Sequence, residues 1–144
     1  EKVDGPSHLK VVEEFGYEMY MHCGAIRKVL LAWQTPAFID EYFKNIILHD
    51  QAFPHVRPDD LREELKKIRQ DGYAITHGEY VTDALGIGAP VFNSDGELAG
   101  SIGIIAPEIR VDTPEFLDTQ KDLVQFYASS LSADLGYEKH DVFQ

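Results

Sequence analysis

An imidazole and a thiol sit side by side at His22-Cys23, the two groups a cysteine nucleophile and its base would need. Neighbours in a helix diverge by about 100° and so do not face each other. No carboxylate stands nearby to orient the imidazole, so Cys23 reads as a core thiol rather than a nucleophile. Glu79 and Asp83, four residues apart, could act as acid and base if paired, and with His22 they define the enzyme alternative. A solvated or structural role suits them better, and the chain reads as a non-enzyme. The six histidines, His8, His22, His49, His55, His77 and His140, include no H-x-x-x-H pair, so no metal site is expected from spacing. Gly86-Ile87-Gly88 resembles the start of a dinucleotide fingerprint but lacks the third glycine and the following helix. No cofactor is expected.

The elements that must position any site centre on a small-residue hairpin. Gly86-Ile87-Gly88-Ala89-Pro90-Val91-Phe92 leads through Asn93-Ser94-Asp95-Gly96 into Glu97-Leu98-Ala99-Gly100-Ser101-Ile102-Gly103-Ile104-Ile105. Side chains alternate across a strand. Ile87, Ala89 and Val91 therefore oppose Gly86, Gly88 and Pro90, and Leu98, Gly100, Ile102 and Ile104 oppose Ala99, Ser101, Gly103 and Ile105. One face is bulky and the other hollow. Glycine inside a strand marks close approach by a ligand or by backbone. Two readings stay open: a ligand cavity floored by Gly86, Gly88, Ser101 and Gly103, or a helix packed directly on the glycines.

Around the hairpin, Ala25, Ile26, Val29, Leu30 and Trp33 recur at helical spacing and predict a helix of about three turns. Thr35-Pro36, Pro58-Asp59-Asp60 and Thr113-Pro114 each open a further helix, and Gly72 and Gly136 close two of them. Leu117, Val124, Ala128, Leu131 and Leu135 are expected along the inner side of the last helix, and Tyr73 to Thr76 forms a short strand. Strands and helices mix without a strand–helix–strand rhythm, which points to an α+β domain with a mainly antiparallel sheet. At 144 residues and 44% hydrophobic content the chain can bury one core. Its net charge of −12 argues against gripping a phosphate backbone directly. The single cysteine fits a reducing, cytoplasmic setting, and no apolar run approaches membrane-spanning length.

Read in order, the segments resemble the effector-binding domain of IclR-family transcription regulators. The resemblance rests on Met21-His22-Cys23-Gly24-Ala25-Ile26-Arg27-Lys28-Val29-Leu30-Leu31-Ala32, on Leu61 through Gly72-Tyr73-Ala74, and on Glu79. It continues through Ala89-Pro90-Val91-Phe92, Asp95-Gly96, Ala106-Pro107-Glu108-Ile109-Arg110, and Leu131 through Tyr137. It implies a GAF-like fold in which a curved sheet holds a small effector. It also implies that residues 1–144 form an effector domain incomplete at its N-terminus, with the helix-turn-helix DNA-binding domain absent. The family's ligand-contacting positions fall on Met19, Ala25, Ile26, Thr76, Ala84, Gly86, Gly103 and Ile105, and Ser101 is a further hydrogen-bond source. Arg27 and Asp83 replace usual glycines, and Thr76 stands where an acidic residue is frequent.

The resemblance implies a small aromatic or carboxylic catabolite as effector, no membrane partner, and assembly into a homodimer or homotetramer. A domain retained only for oligomerisation is the weaker alternative. On the cavity reading, Gly103→Leu should fill empty space and block the ligand while leaving folding largely intact. Residues 1–144 alone should not retard operator DNA at moderate salt, because the acidic chain offers no base-reading helix; an electrophoretic shift assay checks this.

Overall fold

The computed structural model describes residues 1–11, 20–49, 56–111 and 113–139. The helices start where the sequence supplies an acceptor or a proline. Helix α1 spans Ala25–Ala32, α2 Pro36–Asn45, α3 Pro58–Asp71 and α4 Pro114–Asp134. Thr35 and Thr113 each cap their helix, with Oγ1 accepting the N–H of Phe38 at 3.2 Å and of Phe116 at 3.1 Å. Pro58, Asp59 and Asp60 fill the first turn of α3, where the helix dipole favours the acids. The helix ends at Gly72, whose φ of 77° suits the left-handed cap and whose N–H returns to the Ile68 carbonyl at 2.9 Å. Helix α1 is shorter than its apolar spacing suggests, because Trp33 is already its C-cap.

The sheet is three antiparallel strands in the order β1 (Ala74–His77), β2 (Ala84–Phe92) and β3 (Leu98–Pro107). Gly86, Gly88 and Pro90 pair with Ile105, Gly103 and Ser101, and Ile87, Ala89 and Val91 pair with Ile104, Ile102 and Gly100. The two expected faces are therefore present along most of the hairpin. A register shift between Val91 and Phe92 sets Leu98 opposite Phe92 and moves it to the glycine face. Asn93 builds the turn: its Oδ1 accepts from Asp95 and Glu97 N–H, and its carbonyl accepts from Gly96.

Each face carries its own helix. Helix α4 covers the bulky face, joining Val124 and Ala128 to Leu85, Ile87, Ala89 and Val91, with Ile102 and Ile104 at the margin. Helix α1 lies on the glycine face, and α3 packs behind it through Leu61, Leu65 and Ile68. Leu131 and Leu135 do not join the inner side of α4 and are 40% and 45% exposed. Ser132 takes the inward place instead, donating to the Ala128 carbonyl at 2.8 Å and accepting the Phe92 N–H at 3.0 Å. The register shift leaves that N–H in need of an acceptor, which an apolar side chain could not supply.

The glycines of β2 answer the open question at their own positions: the helix sits on them. A Cβ on Gly88 would lie 2.9 Å from Ile26 Cα and N, and one on Gly86 would lie 2.9 Å from Thr76 Oγ1 and 3.3 Å from Ala25 Cβ. Gly88→Ala should therefore cost roughly 1–3 kcal/mol, since the clash is with helix backbone that cannot turn aside. Gly100→Ala, with nothing within 4 Å of the new methyl, should leave stability unchanged or slightly raised. Thermal unfolding of the two variants side by side checks the contrast.

Candidate functional site

Two polar contacts fix α1 on the sheet, and a third ties it to its other neighbours. Its N-cap is Gly24, which has no side chain to cap with. Thr76 of β1 supplies the acceptor instead, its Oγ1 receiving the Ala25 N–H at 3.1 Å while the threonine is 5% exposed. From the opposite side, Ser101 Oγ of β3 donates to the Ile26 carbonyl at 2.9 Å. One turn on, Lys28 is 2% exposed and its ammonium donates to Glu64 Oε1 and Oε2 at 2.9 and 2.8 Å and to Glu79 Oε1 at 2.5 Å. A buried ammonium needs this many acceptors, because removal from water is repaid only by well-placed counter-charges. Lys28 thus ties α1 to α3 and to the loop between β1 and β2.

Beside these contacts lies a cavity of about 660 Å³ that wraps the edge of β3, within the usual range for small-molecule sites. Ile26, Ser101, Gly103 and Ile105 line it on the α1 side, and Ile102, Ile104, Phe116 and Gln120 on the α4 side. The opening segment contributes Lys2, Asp4, Lys10 and Val11, and Arg110 stands at the end of β3. Arg110 donates to the Leu9 carbonyl, which holds the guanidinium against the segment. Lys2 and Lys10 both reach Asp4, at 3.1 and 3.2 Å, and their hydrogen bonds hold its carboxyl below the usual carboxylate range. The arrangement is a trough with apolar walls and charged groups of both signs, Glu1, Asp4, Lys2, Lys10 and Arg110, along one margin.

The expected site residues divide. Ile26, Ser101, Gly103 and Ile105 meet at the cavity. Ala25, Thr76, Ala84 and Gly86 are buried outside its lining, the first two in the capping contact and Gly86 beneath α1. Met19 lies outside the described residues. At Gly103 an added Cβ would strike the Ile87 carbonyl and come within 2.7 Å of Ile26 Cγ1. The expectation that Gly103→Leu leaves the fold intact is therefore corrected: the change overpacks the contact between β2, β3 and α1. Arg110, Phe116 and Gln120 were not anticipated as lining. Of these, Arg110 belongs to the Ala106-Pro107-Glu108-Ile109-Arg110 motif, and the start of α4 reaches the cavity through tertiary folding alone.

The residues weighed for catalysis serve separate structural ends. His22 is fully buried with Nδ1 2.9 Å from Tyr42 Oη, which also accepts the Met21 N–H at 2.8 Å. Glu79 is bound to Lys28. Asp83 is exposed at φ 57°, in the left-handed region that favours glycine. Arg27 lies over the Tyr80 ring at 4.1 Å. Cys23 is buried, and no group of three or more metal-ligating side chains occurs among the described residues. Among them, too, no helix is long and apolar enough to cross a membrane.

The family described as bacterial transcriptional regulator IclR C-terminal matches residues 1–133, and the chain belongs to that family. It is 30% identical over 139 residues to the uncharacterized HTH-type transcriptional regulator RhmR of Escherichia coli K12, covering 95% of this chain and 53% of that protein. To the HTH-type transcriptional regulator KdgR of Dickeya chrysanthemi it is 28% identical over 148 residues, covering 97% and 45%. The crystal structure of the Thermotoga maritima IclR superposes with a TM-score of 0.82 at 28% identity, over 95% of this chain and 56% of that one. The chain thus spans about half the length of the curated relatives it matches. These relatives are transcriptional regulators, in keeping with a non-enzymatic reading and an α+β, IclR-type fold.

Lys28→Met should destabilise the fold by about 3 kcal/mol, because it strands two carboxylates that now share one cation. Lys28→Met combined with Glu79→Leu should recover part of that loss. A double-mutant cycle by urea unfolding measures the coupling.

Proposed function

We propose that residues 1–144 form the effector-sensing domain of an IclR-type regulator, binding a small aromatic or aliphatic carboxylate in the cavity along β3. The observation that carries this reading is the combination of apolar walls from Ile26, Ile104, Ile105 and Phe116 with Arg110 at the margin. An apolar body would rest on the walls, and its carboxylate would take a charge-assisted hydrogen bond from the guanidinium. The Ser101 hydroxyl already bonds the Ile26 carbonyl, so an occupant that pushes on β3 also pushes on α1.

Such an occupant would control DNA binding by a separate helix-turn-helix domain, and assembly into a homodimer or homotetramer would carry the change between copies. The shift requires the effector to bind one arrangement of α1 more tightly than the other. A thermal-shift screen of aromatic and short aliphatic carboxylates tests the reading. A binder at 100 times its Kd should stabilise the chain by about 2.7 kcal/mol. Arg110→Gln should weaken that binder by roughly tenfold or more, the worth of one charged hydrogen bond. A panel without any binder would favour a domain used only for assembly.

A further inference from the structure

A second concave site lies on the opposite side of α1, away from β3. Its volume is about 310 Å³, and Ala32, Pro36, Ile39 and Leu65 form its apolar floor where α1, α2 and α3 meet. Arg62, Lys66 and Arg69 rise around it from α3. Their spacing of four and three residues places all three on one helix face. In a chain of net charge −12, three cations around one pocket, facing the single carboxylate of Asp40, reverse the local sign.

The cations are differently committed. Lys66 pairs with Glu63 at 2.7 Å on the exposed surface. Arg62 lies over the Phe43 ring at 4.1 Å and bonds Asp40 through one nitrogen at 2.9 Å, which holds its plane while leaving other donors for a ligand. Arg69, in the last turn of α3, makes no ion pair with a described residue. A guanidinium fixed by stacking and, two turns further along the same face of α3, one without a described ion pair stand at either end of an apolar floor, which matches a small apolar body carrying a planar anionic head.

We infer that this pocket is a second ligand site, for a small organic anion such as a carboxylate, held by Arg62 and Arg69 over Leu65 and Ile39. Its position behind α1 makes it independent of the β3 cavity: none of its lining is shared. The inference therefore stands or falls separately from the proposed effector site.

Sodium benzoate is the probe, titrated into the ¹⁵N-labelled 144-residue chain against sodium chloride at equal ionic strength, with backbone and arginine side-chain signals followed by NMR. Saturable shifts are expected at the Arg62 and Arg69 Nε–H groups and at the Ala32 and Ile39 amides. Arg69→Gln should weaken this binding five- to tenfold, Arg69→Lys should restore part of it, and Arg110→Gln should leave it unchanged. Shifts that chloride reproduces, or shifts confined to residues along β3, would overturn the inference. So would shifts that depend on chain concentration, which would assign the pocket to an acidic surface of a second copy.

Discussion

The close seating of α1 on β2 is the constraint on which the rest of the domain depends. Helix backbone at Ala25 and Ile26 comes within 2.9–3.0 Å of where a Cβ on Gly88 would stand, and at Gly86 the Thr76 hydroxyl and the Ala25 methyl take that space, so neither strand position tolerates a Cβ without displacement. At that separation the helix terminus is sealed from water, so its first N–H must find a partner in the sheet. Thr76 provides it, and Ser101 meets the next carbonyl from the far side. The polar contacts are thus a requirement of the close packing, since buried backbone groups left unpaired would cost more than the packing returns. Helix α3 can then close over α1, and the core on that side is complete.

The sheet edge presents the contrary situation. Where β2 is covered on both faces, β3 is only partly buried, and among the described residues it pairs with β2 alone. Its residues from both faces consequently line one cavity. The opening segment lies over that edge, tied to it by the hydrogen bond from Arg110 to the Leu9 carbonyl, while Asp4 pairs with Lys2 and Lys10 within the segment itself. Exposed contacts of this kind are individually weak. The cavity therefore has a rigid wall toward α1 and a readily displaced one toward solvent.

Much of this arrangement is legible in the residues. Alternation places Ile87 and Gly88 on opposite faces, the threonine–proline pairs mark two helix starts, and the motifs of the resembled family span nearly all the described elements. What escapes is set by tertiary contact. Small residues leave room, but only the fold decides whether helix or ligand takes it, and at Gly86 and Gly88 the helix does. Ser132 could not be told from Leu131 by apolarity, because its inward place answers a hydrogen-bond need at Phe92 created by a shift in strand register. Phe116 and Gln120 reach the cavity from the far end of the sequence, a proximity that no local pattern encodes.

Lys28 and its two carboxylates also bear on how such a domain can change over generations. The three groups come from three separate stretches of the chain and carry a net charge of −1 between them. Loss of the lysine leaves two crowded acids, and loss of either acid leaves a buried cation short of acceptors. Every single substitution is thus a step downhill in stability, whereas an apolar set of similar volume could replace all three at little cost. None of the three groups lines the cavity along β3, so the junction that ties α1 to α3 and to the β1–β2 loop is independent of the cavity walls.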